Sequence, residues 1–123
     1  MKKIIIDTNA LMAISEFKID LFSEIEKACD FNFKLCIMQG TIDELNKIIE
    51  EQRSKFARAA KLALSLIKAK KTEIIKKQGY VDDILVEHSK KGDLILTQDV
   101  ELKKRLTKPY LTIRQKKKVV MVG

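Results

Sequence analysis

Short apolar runs alternate along this chain with longer stretches in which apolar residues recur every three or four positions. A short β-branched run is typical of a strand buried on both faces, whereas the wider spacing is typical of a helix packed on one face. The runs predict strands at Lys2–Ile6, Phe33–Met38, 72–75 and Leu94–Leu96. The spacing predicts helices over 10–14, 21–29, 42–49, 56–67, 81–88 and 100–106.

The end of the chain leaves two topologies open. Tyr110–Arg114 and 119–122 are β-like runs separated by polar residues, and they predict either a hairpin or an edge strand followed by a tail.

Because strands alternate with helices, the pattern favours an α/β fold, in which helices cover both faces of a mostly parallel sheet. The 123 residues suffice for one core, so residues 1–123 are predicted to form a single domain.

The charge balance points to a polyanionic partner. The chain carries 25 Lys and Arg against 17 Asp and Glu, a formal net charge of +8. This favours a nucleic acid first and an acidic membrane surface second, although a lysine-rich surface also serves solubility alone. No apolar run reaches the length of a membrane span, and the first residues do not resemble a signal peptide. Cys29 and Cys36 lack metal-type spacing, which suggests reduced thiols in a cytoplasmic protein.

Four acidic positions fall where the predicted elements meet one edge of such a sheet. Asp7 follows the first strand, Asp99 follows the fourth, and Glu44 lies in the first turn of the helix after the second strand. Strand carboxyl ends and the helix amino ends that follow them share an edge, so these three are expected to converge. Asp82 opens the helix before the fourth strand, and it reaches the same edge only if the preceding segment delivers it there.

Grouped carboxylates suggest a metal site. Two like charges about 4 Å apart repel by a few kcal/mol at an effective dielectric of about 20, and a hard divalent cation offsets that cost. Mg²⁺ or Mn²⁺ prefers oxygen ligands and can activate water toward a phosphodiester. The alternative to a metal site is that each of these acidic residues has a structural role. Asp7, Asp82 or Asp83, and Asp99 would be helix caps, and Glu44 would complement a helix dipole.

Other catalytic arrangements have little support in the sequence. His88 is the single histidine, which excludes a two-histidine ribonuclease mechanism, and its place on an apolar helical stripe predicts core packing. The serines, Ser54 among them, show no nucleophile-elbow pattern. No glycine-rich phosphate loop is present, which argues against use of ATP, GTP or NAD.

With these residues placed, the chain resembles PIN-domain proteins along essentially its whole length. The matching stretches are IIIDTNALM, IDELNKI and VDDILVEHSKKGDLILTQDVELKKR. The resemblance implies a three-layer α/β/α fold with a parallel sheet in the order 3-2-1-4-5, and Mg²⁺- or Mn²⁺-dependent endoribonuclease activity. It implies a catalytic metal site built by Asp7, Glu44, Asp82 and Asp99.

Further residues are candidates for supporting roles. Asp83 is an alternative to Asp82 as ligand, and Glu101 is placed to reach a second metal. The small polar residues Thr8, Asn9 and Thr97 are expected to support the acids. Weaker candidates for RNA contact are the basic residues Lys55, Arg58, Lys61, Lys68, Lys103 and Arg105.

Within the family, the leading hypothesis is a metal-dependent endoribonuclease that cuts structured RNA in rRNA maturation. The motif TQDVELKKR followed by Lys-Pro looks most like rRNA-processing PIN nucleases, whereas VapC-type toxins usually carry an aromatic residue where Leu102 stands here. One alternative is therefore a toxin ribonuclease paired with an antitoxin. Another is a non-catalytic RNA-binding or ribosome-assembly module. A homodimer is also an option, because the apolar residues of 10–14 suit a dimer face, although core burial explains them equally well.

Overall fold

The computed structural model describes residues 1–53 and 55–123, so Ser54 lies outside the described residues. Strands and helices alternate along most of the chain. The elements are β1 (Lys2–Ile6), α1 (Thr8–Phe17), α2 (Leu21–Ala28), β2 (Phe33–Met38), α3 (Gln39–Glu51), α4 (Lys55–Ala69), β3 (Glu73–Ile75), α5 (Val81–Lys90), β4 (Leu94–Leu96), α6 (Val100–Arg105), β5 (Tyr110–Arg114) and β6 (Lys118–Val122).

These strands form one sheet in the order β3-β2-β1-β4-β5-β6. The first five run parallel to one another, which confirms the predicted α/β class and the order 3-2-1-4-5. The hairpin alternative for the end of the chain is the one observed, because β6 pairs antiparallel with β5 and extends the sheet by one strand. At the centre, Ile6 of β1 is in register with Leu96 of β4, so the residues that follow these two strands emerge side by side.

The core has one apolar cluster on each face of the sheet. Side chains alternate between faces along a strand, so Ile4 and Ile6 join the cluster under α1 to α4, whereas Ile5 joins the cluster under α5 and α6. Burial of these isoleucines is complete. The result is the predicted three-layer α/β/α arrangement.

Some local predictions were wrong. Helix α3 begins at Gln39, directly after β2, rather than at Ile42 as predicted, so Glu44 lies beyond its first turn. Helix α1 is longer than expected and begins at Thr8. His88 is half-buried rather than part of either apolar cluster, and its Nδ1 lies 2.8 Å from Oδ2 of Asp93.

Other features bear on partners and location. Ala10, Leu11 and Ile14 are buried in the core, so core burial accounts for most of the segment considered for a dimer face. Cys29 and Cys36 are free and buried. Among the described residues, no helix combines the length and the apolar character that a membrane crossing requires.

Candidate active site

A cavity of about 400 Å³ opens at the carboxyl edge of the parallel strands. It lies where the ends of β1 and β4 meet the amino-terminal halves of α3 and α5. Four of its lining side chains are carboxylates, and the rest are small, polar or aliphatic. The lining residues are Asp7, Thr8, Asn9, Gly40, Glu44, Ile48, Val81, Asp82 and Asp99.

Asp7 and Asp99 each occupy a helix N-cap at this edge. Asp7 is buried after β1, and its Oδ1 accepts a hydrogen bond of 2.9 Å from the backbone N–H of Thr8. Asp99 follows β4, and its Oδ1 accepts hydrogen bonds from the backbone N–H groups of Glu101 and Leu102 at 2.9 and 3.1 Å. Each cap bond uses Oδ1, so capping leaves the second carboxylate oxygen for other contacts.

A polar network fixes the orientation of Asp7. Its Oδ2 accepts hydrogen bonds from Oγ1 of Thr97 at 2.8 Å and from Nδ2 of Asn9 at 3.1 Å. The Thr97 hydroxyl also accepts the backbone N–H of Asp99 at 3.1 Å, and Asn9 Oδ1 accepts the backbone N–H of Gln98 at 2.8 Å. One buried hydroxyl thus links the Asp7 carboxylate to the backbone of Asp99, because Thr97 donates to the first and accepts from the second.

The other two acids come from helices. Asp82 lies in the first turn of α5 but does not cap it, since the N-cap is Tyr80 and makes no side-chain cap bond. Glu44 lies on an exposed part of α3, and neither helix-dipole complementation nor capping explains it there. The two helices meet at Gly40, where an added Cβ would lie 2.5 Å from Cγ2 of Val81. This close approach delivers Asp82 to the same edge as Glu44.

The pKa values reflect burial and mutual repulsion. Burial is the main cause that raises the pKa of Asp7. The hydrogen bonds from Thr97 and Thr8 oppose that rise, and the charges of Asp82 and Glu44 add to it. The pKa of Asp82 is also raised, first by burial and then by the charge of Asp99. Among the described residues, none of the ion pairs includes any of the four pocket acids. The charge of Arg105 lowers the pKa of Asp82 only as a smaller cause, and no counter-ion within the described residues contacts the four carboxylates directly.

Asp83 and Glu101 lie outside the pocket. Oδ1 of Asp83 accepts a 2.7 Å ion-paired hydrogen bond from Arg105, and Oε1 of Glu101 pairs with Lys104 at 3.2 Å. The geometry therefore favours Asp82 over Asp83 as the pocket acid, and it does not bring Glu101 to the other carboxylates.

The basic candidates divide into two groups. Those on α4 are exposed: Lys55, Arg58, Lys61 and Lys68. On α6, Lys103 is half-buried, and its pKa is lowered by burial first and by the charge of Arg114 second. Arg105 is exposed but pairs with Asp83. The α4 group therefore offers the freer basic surface.

The pocket chemistry fits a hard divalent cation. In the described part of the chain, no three His, Cys, Asp or Glu side chains form a cluster that could hold a metal ion as they stand. Mg²⁺, however, usually takes one or two carboxylates and keeps several waters, so a pocket lined by four carboxylates suits it without such a cluster. Thr8 adds a buried Oγ1 that has no hydrogen-bond partner among the described residues.

The structure also reveals positioning residues that the sequence reasoning missed. Gln98 ties the turn after β4 to β5, because its Oε1 accepts hydrogen bonds from Thr112 Oγ1 and Ile113 N–H at 2.8 and 2.7 Å. Gly40 and Val81 set the approach of α3 to α5. Gln98 directly precedes Asp99, and that position was its only sequence signal. The contact between Gly40 and Val81 leaves no signal in the sequence, because it joins helices that are distant along the chain.

Comparison with known proteins agrees with the observed fold. The family model described as a PIN-like domain matches residues 4–116. Ribonuclease VapC4 from Methanocaldococcus jannaschii is 29% identical over 129 aligned residues, which cover 100% of this chain and 98% of that protein.

Two solved structures share the fold. The PIN domain endonuclease Utp24 superposes with a TM-score of 0.76 and 26% identity, over 97% of this chain and 90% of that one. A domain of a functionally unknown protein from Methanocaldococcus jannaschii gives a TM-score of 0.52 at 15% identity, over 85% of this chain and 83% of that one, and supports the fold alone.

Proposed function

The chain belongs to the PIN-like domain family, and on that premise we propose that it is a divalent-metal-dependent endoribonuclease. One observation carries the proposal: Asp7, Glu44, Asp82 and Asp99 line one pocket and have no ion-pair partner among the described residues. Similarity to proteins named as a ribonuclease and as a PIN domain endonuclease supports the reaction class. The cofactor would be Mg²⁺ or Mn²⁺.

Each residue would have a definite task. Asp7 and Asp99 would be the principal ligands, and Glu44 and Asp82 would complete the site or orient water. Thr97 and Asn9 hold Asp7 Oδ2 in place. Because the Thr97 bond lowers the pKa of Asp7 against the effect of burial, it helps to keep that carboxylate ionised. When bound, a divalent ion polarises phosphoryl oxygen and offsets the charge that develops on it.

The substrate class we propose is structured RNA, with rRNA maturation as the role. The basic body supports a polyanionic substrate, because the net charge is +8 and the α4 lysines and arginine are exposed. Counterion release makes such binding strongly dependent on salt. The pocket acids would then act at a place where the surface needs a cation to accept a phosphate.

A second candidate role is that of a toxin ribonuclease with an antitoxin partner. The observation in its favour is the match to ribonuclease VapC4 along the whole chain. Growth arrest on expression, relieved by co-expression of a neighbouring gene, would favour this role, whereas absence of toxicity would favour RNA maturation. Both roles use the same pocket, and a non-catalytic RNA-binding module would not.

Cleavage of a structured RNA tests the proposal. The purified protein would be assayed with Mn²⁺, Mg²⁺ or EDTA beside Asp7→Asn, Asp99→Asn and Asp93→Asn, the last being a control acid outside the pocket. We expect metal-dependent cleavage by the wild type and by Asp93→Asn, with 5′-phosphate and 3′-hydroxyl products, and a loss of roughly a hundredfold or more in the pocket variants. Undiminished cleavage by folded Asp99→Asn would contradict the assignment.

A further inference from the structure

A shallow apolar trough continues from the acidic pocket along α3. Its volume is about 290 Å³, and it is lined by Met12, Ile48, Gln52 and Phe56. Ile48 also lines the acidic pocket, so the two spaces share a wall. Because Ile48 follows Glu44 by one helical turn, about 6 Å along the axis, a group held in the trough would lie beside the carboxylates.

Phe56 gives this trough an exposed aromatic ring. Half of its surface, 50%, is accessible to solvent, whereas the other phenylalanines are buried or half-buried. A single exposed apolar residue is ordinary on a protein surface. Phe56 differs because it stands in a trough that shares a wall with the candidate active site.

Basic residues lie beside the ring on α4, although Glu16 lines the adjoining cavity together with Lys55 and Phe56. Nζ of Lys55 lies 5.3 Å from the ring centroid of Phe56, and Arg58 and Lys61 are exposed farther along the same helix. An aromatic face beside basic side chains is the combination by which proteins hold single-stranded nucleic acid, with the ring stacking on a base and the cations facing phosphates. The side-chain amide of Gln52 can both donate and accept hydrogen bonds at a base edge.

We propose that the trough holds an unpaired nucleobase next to the scissile phosphate, stacked on Phe56. This inference rests on the proposed function and assigns Phe56 as a base-binding residue beside the pocket in which that reaction would take place. A volume of about 290 Å³ suits one planar ring. A stable protein interface instead buries about 800 Å² on each partner, which the trough alone does not provide.

Equilibrium binding of two short oligomers tests the stacking contact. One is oligouridylate, and the other is the abasic ribose-phosphate oligomer of the same length, both measured at low salt with EDTA to prevent cleavage. We expect the wild type to prefer oligouridylate. Phe56→Leu should weaken oligouridylate binding roughly tenfold and leave the abasic oligomer unaffected. Phe56→Tyr, which keeps a ring, should bind both oligomers like the wild type.

Leu62→Ala is the matched control, because Leu62 is exposed on the same helix, at 41%, but does not line the trough. It should change neither affinity. Three results would overturn the stacking proposal: equal wild-type affinity for both oligomers, unchanged oligouridylate binding by Phe56→Leu, or equal weakening of both oligomers. A change of oligomeric state in Phe56→Leu without a change in RNA binding would instead assign the trough to a second copy of the chain.

The cleavage assay separates the two proposals. If the wild type cleaves structured RNA with metal while Phe56→Leu binds oligouridylate normally, the endoribonuclease assignment stands and only the stacking site fails. If the wild type cleaves no RNA with either metal, the proposed function fails, whatever the oligomers show.

Discussion

Two largely buried carboxylates stand at opposite edges of the sheet, and their surroundings differ. At the amino edge, Asp93 precedes β4, and its Oδ2 lies 2.8 Å from Nδ1 of His88. At the carboxyl edge, Asp7 follows β1, and the charges that act on it are those of Asp82 and Glu44. The fold thus supplies a partner for one carboxylate and surrounds the other with like charge.

This difference distinguishes a structural carboxylate, which is paired within the protein, from a carboxylate that is available to bind a cation. A buried carboxylate costs free energy unless it is paired or hydrogen-bonded, and His88 meets that need at the amino edge. At the carboxyl edge, the hydrogen bonds that Asp7 accepts from the described residues come from neutral groups of Thr8, Asn9 and Thr97. Neutral donors fix orientation without removing negative charge, so the pocket retains its attraction for a cation.

Removal of the Thr97 hydroxyl should have the largest effect on the carboxyl edge. Thr97→Val leaves a buried carboxylate oxygen with one donor fewer and should reduce the free energy of unfolding by about 2 kcal/mol. Because the lost bond lowers the pKa of Asp7, that pKa should rise further. Ligands must be ionised to hold a metal, so the acidic limb of the pH–rate profile for cleavage should move to higher pH.

Thr112→Val is the matched control for that variant. Thr112 is also buried, but its hydroxyl donates to Oε1 of Gln98 rather than to a carboxylate. It should lose comparable stability in chemical denaturation and keep the wild-type pH–rate profile. Identical profiles for both variants would show that Thr97 does not act through Asp7.

The amino edge should lose stability without losing activity. His88→Ala leaves Asp93 without its partner in a site where only 18% of that side chain is exposed, so we expect a loss of about 1 to 2 kcal/mol in the free energy of unfolding. RNA cleavage by the folded variant should not change. Lys77→Ala breaks an exposed ion pair with Glu87, which lies on α5 like His88. This substitution should have little effect on stability. A cleavage defect in His88→Ala would break the distinction between the edges.

Removal of the Asp82 charge, which burial first and the charge of Asp99 second disfavour, should have the smallest effect, and of opposite sign. The raised pKa of Asp82 means that the folded state resists its ionised form. The folded state therefore binds more protons, and stability falls as pH rises through the interval between the unfolded and folded pKa values. Asp82→Asn should increase the free energy of unfolding by roughly 0.3 kcal/mol at neutral pH without metal, and the gain should vanish at acidic pH.

Asp83→Asn provides the comparison for Asp82→Asn. The two residues are adjacent in α5, but Asp83 is ion-paired with Arg105 at 2.7 Å. Its substitution should leave thermal stability unchanged or slightly lower. If Asp83→Asn gained as much stability as Asp82→Asn, the gain in Asp82→Asn could not be attributed to the position of Asp82 in the pocket.

The sequence predicts the strand-end acids well because their placement is a local matter. Asp7 and Asp99 directly follow buried strands, and parallel strands place such residues at one edge. Asp82 is different. Its arrival at that edge depends on the contact between Gly40 and Val81, which joins two helices and leaves no periodic signal. The predicted start of α3 was three residues late, because the apolar spacing begins at Ile42, whereas residues 39–41 also belong to the helix.

The polar network was predicted only in part. Thr8, Asn9 and Thr97 were expected to support the acids, but hydrogen bonds such as that from Gln98 N–H to Asn9 Oδ1 depend on the register between β1 and β4. The pairing of Asp83 with Arg105 likewise depends on how α5 packs beside α6. The spacing of residues along the chain specifies neither the strand register nor the packing of these helices.

Titration calorimetry with Mn²⁺ tests the central claim most directly, because it asks whether the unpaired carboxylates bind a cation, independently of any RNA. The wild type, Asp7→Asn and Asp93→Asn would be compared at neutral pH after removal of metal. We predict saturable binding by the wild type and by Asp93→Asn, and loss or strong weakening in Asp7→Asn. Absence of Mn²⁺ binding by the wild type, or equal binding by all three proteins, would contradict the account.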